Sequence, residues 1–150
     1  MKIVYRLLFS FHVFVGIGAL AGGLAAIINP NEPLGLTVEA LENSPFSNFL
    51  IPGIILFTVI GIGNITSAFF MSRFKLRFQG YMSSVFSWAL VIWIIVQCIM
   101  LNTVVFLHVL FFVIGLIKVV LSMIILYEQR LFPVSLILNI LENLKRKMIQ

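Results

Sequence analysis

Five polar side chains lie within long apolar stretches of this 150-residue chain, where they allow hydrogen bonding, metal or haem ligation, or anion binding. They are His12, Asn64, Gln97, His108 and Lys118. Polar groups are costly in an apolar medium, so these residues are candidates for ligand or partner binding. No hydrolase motif, phosphate-binding loop or metal-ligand cluster accompanies them, and Cys98 is the single cysteine. We therefore predict no catalytic residue, no metal ligand and no cofactor.

Lys118 has no Asp or Glu within any of the apolar stretches to neutralise it. Three interpretations are open. Its long side chain can extend toward the nearer aqueous face. It can instead hydrogen-bond to Asn64 or to backbone carbonyls. In the third interpretation, it binds an anionic ligand or a carboxylate of a partner protein.

The composition indicates how these residues are positioned. Hydrophobic residues make up 61% of the chain and charged residues only 10%, whereas a soluble domain is about 25% charged. Four apolar runs are long enough to cross a bilayer as helices: residues 7–28, 49–70, 82–101 and 104–127. The sequence thus predicts an all-α integral membrane protein, a four-helix transmembrane domain over residues 1–127.

The charges on the connections predict how the helices are oriented. The first connection, residues 29–48, carries three Glu and no Lys or Arg, whereas residues 71–81 carry three basic residues and no acid. Basic residues also flank the first span and follow the last. By the positive-inside rule, both termini face the cytoplasm and residues 29–48 form an acidic outer loop. The net charge of +5 therefore reflects topology, and no nucleic-acid partner is predicted.

This topology gives each polar residue a depth. His12, Asn64 and Lys118 form an inner layer, and Gln97 and His108 an outer one. The histidines therefore do not meet around one haem. We expect His108 to pair with a glutamate of the outer loop: Glu32, Glu39 or Glu42.

Small residues predict where helices approach closely. Gly16, Ala19 and Gly23 lie on one stripe of the first span together with His12. A second stripe through Gly18 and Gly22 predicts that this helix is approached from two sides. In the fourth span, Gly115 shares an arc with His108 and Lys118 that is expected to face the protein.

The loop and the tail carry further signals. Ser44-Pro45 predicts a helix start, and Pro52-Gly53 a kink in the second span or a new start for it. Residues 128–150 predict a cytoplasmic amphipathic helix with Lys145, Arg146 and Lys147 near anionic lipid headgroups. The alternative is packing of this helix on a partner subunit.

The outer loop and its flanks resemble a family of small, uncharacterised four-helix bacterial membrane proteins. The resemblance is carried by Gly22-Gly23-Leu24-Ala25, Asn29-Pro30, Leu34-Gly35-Leu36, Glu39, Leu41, Ser44-Pro45-Phe46 and residues 49–53. It implies the bacterial cytoplasmic membrane and no particular activity.

We expect a non-enzymatic accessory, assembly or small-ligand-binding component of a larger membrane system, in contact with the lipid bilayer and with another membrane protein or a second copy. A small oligomeric transporter is the alternative, followed by a membrane redox or lipid-modifying enzyme.

Overall fold

The computed structural model describes residues 2–42, 44–73 and 78–129. The predicted tail helix therefore lies outside the described residues except for its first two positions, Glu128 and Gln129. The membrane-surface residues Lys145, Arg146 and Lys147 also lie outside them.

Over the described residues the fold is all-helical, as predicted, and four helices are long and apolar enough to cross a membrane. The helices are α1 (Lys2–Ile28), α2 (Leu50–Ile55) continued by a π-helical segment (Leu56–Ile62) and by α3 (Gly63–Arg73), then α4 (Phe78–Leu101) and α5 (Phe106–Glu128). We refer to Leu50–Arg73 as the second helix. The acidic loop and the α4–α5 turn lie at one end of the bundle, the loop end. Lys2, Arg73 and Glu128 lie at the other, the basic end.

The predicted helix start at Ser44-Pro45 is wrong, because the second helix begins at Leu50. The Ser44 hydroxyl accepts a hydrogen bond from the Phe46 N–H at 3.2 Å, which forms a local turn and not a helix cap. The Asn48 side-chain oxygen accepts instead from the Leu50 N–H at 3.1 Å. Pro52 falls within the first turn, where a helix needs no N–H donor, so it marks the new start.

The π-helical segment is a feature that residue types alone do not indicate. A π turn contains more residues than an α turn, and such turns are frequent at functional sites. The Thr58 hydroxyl donates to the Ile54 carbonyl at 2.7 Å within this part of the helix. The segment sets the angular position of every residue that follows it, including Asn64.

Small residues let α1 and the second helix approach closely. A Cβ atom on Gly23 would lie 2.6 Å from the backbone nitrogen of Phe57, and one on Gly16 would lie 2.6 Å from the Ile65 side chain. On α5, Gly115 would similarly meet Val91 of α4 at 2.8 Å. Ala19 is buried in the central core.

The apolar core lies near the middle of the bundle. Its buried members come from α1, the second helix, α4 and α5 and include Val15, Ile60, Leu90 and Ile114. A smaller cluster at the loop end packs Leu41 and Phe49 against Met100. This cluster fixes the acidic loop over the end of α4. At Glu39, on the exposed side of the loop, hydrogen bonding by the Thr37 side chain lowers the carboxyl pKa.

Candidate functional site

Three polar side chains from three helices meet in the bundle and form the polar triad: His12 of α1, Asn64 of α3 and Lys118 of α5. The Asn64 Oδ1 atom lies 2.7 Å from His12 Nδ1 and accepts a second hydrogen bond from Lys118 Nζ. The Asn64 amide nitrogen donates to the Ile60 carbonyl at 2.7 Å, which fixes the orientation of the amide. The three residues predicted to lie in one inner layer are thus in contact through Asn64. Of the three interpretations of Lys118, the structure shows the hydrogen bond to Asn64.

The polar triad is sealed from the surroundings of the protein. His12, Asn64 and Lys118 each have 0% of their surface exposed. No Asp or Glu is buried among the described residues, so no carboxylate neutralises Lys118. A buried amine without a counter-ion is costly, and ionisable residues within membrane helices are usually functional.

The two sides of the polar triad differ in chemistry. One helical turn toward the loop end, its three helices contribute the apolar residues Val15, Ile60 and Ile114, all buried. One turn toward the basic end, the second helix and α5 contribute the fully buried serines Ser67 and Ser122, and α1 contributes the fully buried Leu8. The triad is therefore bordered by apolar side chains alone on one side and by two hydroxyl groups and a leucine on the other.

A cavity of about 450 Å³ lies between the helices near the loop end, within the size range of small-molecule sites. Its wall is mostly apolar and comes from α1, the π-helical segment, α4 and α5, with Leu34 and Leu36 of the acidic loop. Gly18 and Gly22 line this loop-end cavity. Their stripe was expected to mark a second close helix contact, but it borders the cavity, and Cβ atoms there would lie 3.4 Å from Phe111 and 3.5 Å from Leu56.

Four side chains give the loop-end cavity its polar groups: Trp93, Gln97, Thr103 and His108. Trp93 is 93% buried, and its Nε1–H has no hydrogen-bond partner in the structure. The predicted outer pair, Gln97 and His108, thus meets at one cavity, about 15 Å along α5 from Lys118. No Lys, Arg, Asp or Glu lines the cavity.

The predicted ion pair between His108 and a loop glutamate is absent from the described residues. His108 instead accepts a hydrogen bond at Nδ1 from the Val105 N–H, at 3.3 Å. Val105 precedes the first turn of α5, where backbone N–H groups have no partner within the helix. The His108 ring thus does what a Glu or Gln does in a capping box, and the nearby loop leaves it no carboxylate contact.

Replacing His108 with leucine should destabilise the protein by about 1 kcal/mol, since the cap is lost. His108→Gln should retain most of the stability because its amide oxygen can accept the same N–H. Reversible detergent unfolding followed by circular dichroism measures both. Equal losses in the two variants would contradict the capping role.

Two functional candidates escaped the sequence analysis. Ser67 is fully buried, and its hydroxyl has no hydrogen-bond partner in the structure. Its position three residues after Asn64, one helical turn, was the available signal. Trp93 resembles an ordinary membrane tryptophan in sequence, and two features distinguish it: its N–H has no partner, and the residue lines the loop-end cavity.

The described part of the chain is thus a four-helix bundle with helices of membrane-spanning length and two internal sites, the polar triad and the mostly apolar loop-end cavity. Comparisons with protein-family models, with curated proteins and with solved structures give no match. The functional argument therefore depends on the two sites themselves.

Proposed function

We propose that this protein is a non-enzymatic component of the bacterial cytoplasmic membrane that binds a small apolar molecule in the loop-end cavity. In this proposal the four helices cross the bilayer and both termini are cytoplasmic. Large apolar side chains face outward on the helices, for example Ile17, Ile92 and Val120, each more than half exposed. The acidic loop at one end and basic residues such as Arg73 at the other support the orientation.

The lining of the loop-end cavity defines the chemistry of the ligand. An apolar wall with a few polar groups is typical of sites for largely apolar molecules. The indole Nε1–H of Trp93 can only donate a hydrogen bond. His108 accepts at Nδ1, so its neutral ring carries the proton on Nε2 and presents a second donor.

These donors call for a ligand with acceptor oxygens. Because no cation lines the cavity, a carboxylate or phosphate would remain without a counter-charge. Neutral carbonyl oxygens fit better, so the preferred ligand is an apolar molecule with a carbonyl-bearing head, such as an alkyl quinone. The observation that carries the proposal is that Trp93, whose buried N–H has no partner, lines this cavity; a ligand carbonyl that reached the N–H would recover the about 1–3 kcal/mol that an unpaired buried donor costs.

Ligand binding can be measured by tryptophan fluorescence in detergent. The chain has two tryptophans, so Trp88→Phe leaves Trp93 as the only reporter. Titration with a short-chain alkyl benzoquinone should quench Trp93 fluorescence with saturation. In competition with the quinone, an alkylbenzene with the same tail should bind at least tenfold more weakly, because it has no acceptor oxygen.

Two variants control for partitioning of the quinone into detergent. Gly22→Leu extends a side chain into the cavity and should weaken saturable binding at least tenfold. In Trp93→Phe, the remaining Trp88 is 44% exposed and should show only non-saturable quenching. Saturation with equal affinity in the Gly22→Leu protein would contradict the proposed site.

A further inference from the structure

We propose that the polar triad is a proton-binding site inside the bundle, which exchanges one proton with the aqueous phase at the basic end. This site is separate from the loop-end cavity, and the inference does not depend on the cavity having a ligand. Three features carry it: the hydrogen-bond pattern around Asn64, the charges available and the space around the three side chains.

The hydrogen-bond pattern leaves one acceptor free. Since Asn64 Oδ1 accepts from Lys118, its contact with His12 requires the proton of the neutral imidazole to be on Nδ1. His12 Nε2 then carries a lone pair, and this buried atom has no hydrogen-bond partner in the structure. The triad thus contains two basic nitrogens, Lys118 Nζ and His12 Nε2, on side chains that meet at one oxygen.

The charges limit the triad to one added proton. A proton from the aqueous phase adds to the lone pair of Lys118 Nζ or of His12 Nε2, and the charge of the triad rises from zero to +1. A second proton would place two positive charges beside one amide oxygen, with no buried carboxylate in the described residues. Two like charges at this separation repel each other strongly, and burial adds the free-energy cost of removing them from water.

Packing restricts what else can bind. All three side chains are fully buried, and His12 Nδ1 and Lys118 Nζ both contact Asn64 Oδ1. None of them lines the loop-end cavity. A proton adds to a lone pair and requires no new space, whereas an anion would have to separate Lys118 from Asn64.

The two sides of the buried site differ in their residues, and the proposed proton exchange uses the basic end. Val15, Ile60 and Ile114 separate it from the loop end. Toward the basic end, Ser67 presents an unpartnered hydroxyl one turn from Asn64. Tyr5 lies two helical turns from His12 toward the basic end, where its hydroxyl accepts a hydrogen bond from the Gln129 amide at 2.8 Å. Besides His12 and Lys118, no His, Lys, Arg, Asp or Glu is buried in the described residues at the level of the triad.

Nitrogen-15 NMR of histidine-labelled full-length protein in bilayers tests the proposal, because the chain has only two histidines. His108→Gln assigns the spectrum. At pH 8 we expect opposite tautomers: Nδ1–H with a bare Nε2 for His12, and Nε2–H with a bare Nδ1 for His108. On acidification to pH 5, wild-type His12 should stay neutral, because Lys118 holds the added proton.

In Lys118→Met the added proton has only one acceptor, so His12 should become protonated on both ring nitrogens by pH 5. Lys118→Gln, which retains a donor for Asn64, should give the same shift. A neutral His12 in both variants would overturn the proposal. So would a doubly protonated His12 in the wild type, or spectra that change when chloride replaces gluconate at constant pH, since the site would then hold an anion.

A separate measurement tests the end of the bundle from which the proton reaches the triad. Hydrogen–deuterium exchange at His12 should slow at least tenfold in Ser67→Ala, which removes the unpartnered hydroxyl one turn from Asn64 toward the basic end. Ser87→Ala is the matched control, since this buried serine donates to the Ser83 carbonyl of its own helix at 2.6 Å. Equal exchange rates in the Ser67→Ala and wild-type proteins would contradict access from the basic end.

Discussion

At pH 5, where Lys118 holds the added proton, Asn64→Leu should destabilise the protein by about 3–5 kcal/mol, the usual cost of removing one partner from a buried polar interaction that includes a charge. The variant leaves Lys118 Nζ and His12 Nδ1 without their shared acceptor in the interior. Lys118→Met should have the opposite effect and be neutral or stabilising, because an unbranched apolar side chain replaces a buried amine that has no carboxylate partner. Reversible unfolding in mixed detergent, followed by circular dichroism, measures both.

The double variant Asn64→Leu/Lys118→Met separates the stability lost through the unpaired Lys118 from the other effects of Asn64→Leu. Lys118→Met should recover a large part of the lost stability in the Asn64→Leu background, which gives a coupling energy of more than 1 kcal/mol. Ser87→Ala, at a fully buried polar position on α4, should change stability far less. Additive effects of the two substitutions would show that the triad is not an energetic unit.

Gly23→Ala should destabilise the bundle by about 3 kcal/mol, at the upper end of ordinary overpacking. The added Cβ atom would lie 2.6 Å from the Phe57 backbone nitrogen. A backbone cannot rotate away as a side chain can, so α1 and the second helix must move apart. The same detergent-unfolding measurement detects this loss.

The adjacent residue provides the matched control. A Cβ atom on Gly22 would lie 3.5 Å from the Leu56 side chain, an ordinary contact. Gly22→Ala should therefore be neutral, or stabilising by up to about 1 kcal/mol through the better helix propensity of alanine. Similar losses at both positions would contradict the close approach of the two helices at Gly23.

Much of the fold could be predicted because long apolar runs leave few alternatives. They predicted four helices, and the charges of the connections gave His12, Asn64 and Lys118 a common depth. Depth placed the three residues in one layer, but the contact of Lys118 with Asn64 was one of three open interpretations, and only the structure brings the triad together.

The remaining features depend on local geometry that residue types do not determine. A small residue fits the close helix contact at Gly23 and the cavity wall at Gly22 equally well, so the loop-end cavity could not be predicted. The prediction of a helix start at Ser44-Pro45 was wrong because the Ser44 hydroxyl accepts a hydrogen bond from the Phe46 N–H within a local turn. The capping role of His108 could not be predicted because it depends on where α5 begins relative to Val105, which the residue types do not determine.

Ile60 connects the two internal sites. Its side chain lines the loop-end cavity, and its carbonyl accepts the hydrogen bond that orients Asn64. A ligand that displaces Ile60 would alter the geometry at Asn64, and by reciprocity protonation of the triad would alter ligand affinity. The ligand affinity of the cavity and the protonation of the triad are therefore expected to be linked.

The π-helical segment makes the chemistry of the interior depend on residue count as well as residue type. Each residue advances an α-helix by about 100°. If Leu56–Ile62 closed into an α-helix with its seven residues retained, Asn64 would turn by about that angle relative to Gly53 and leave its two partners. A one-residue deletion that also removed the π turn would leave Asn64 close to its present direction, because the π turn accommodates one extra residue. Relatives that share this interior must therefore either keep both the π turn and the spacing between Gly53 and Asn64, or lack the turn together with one residue.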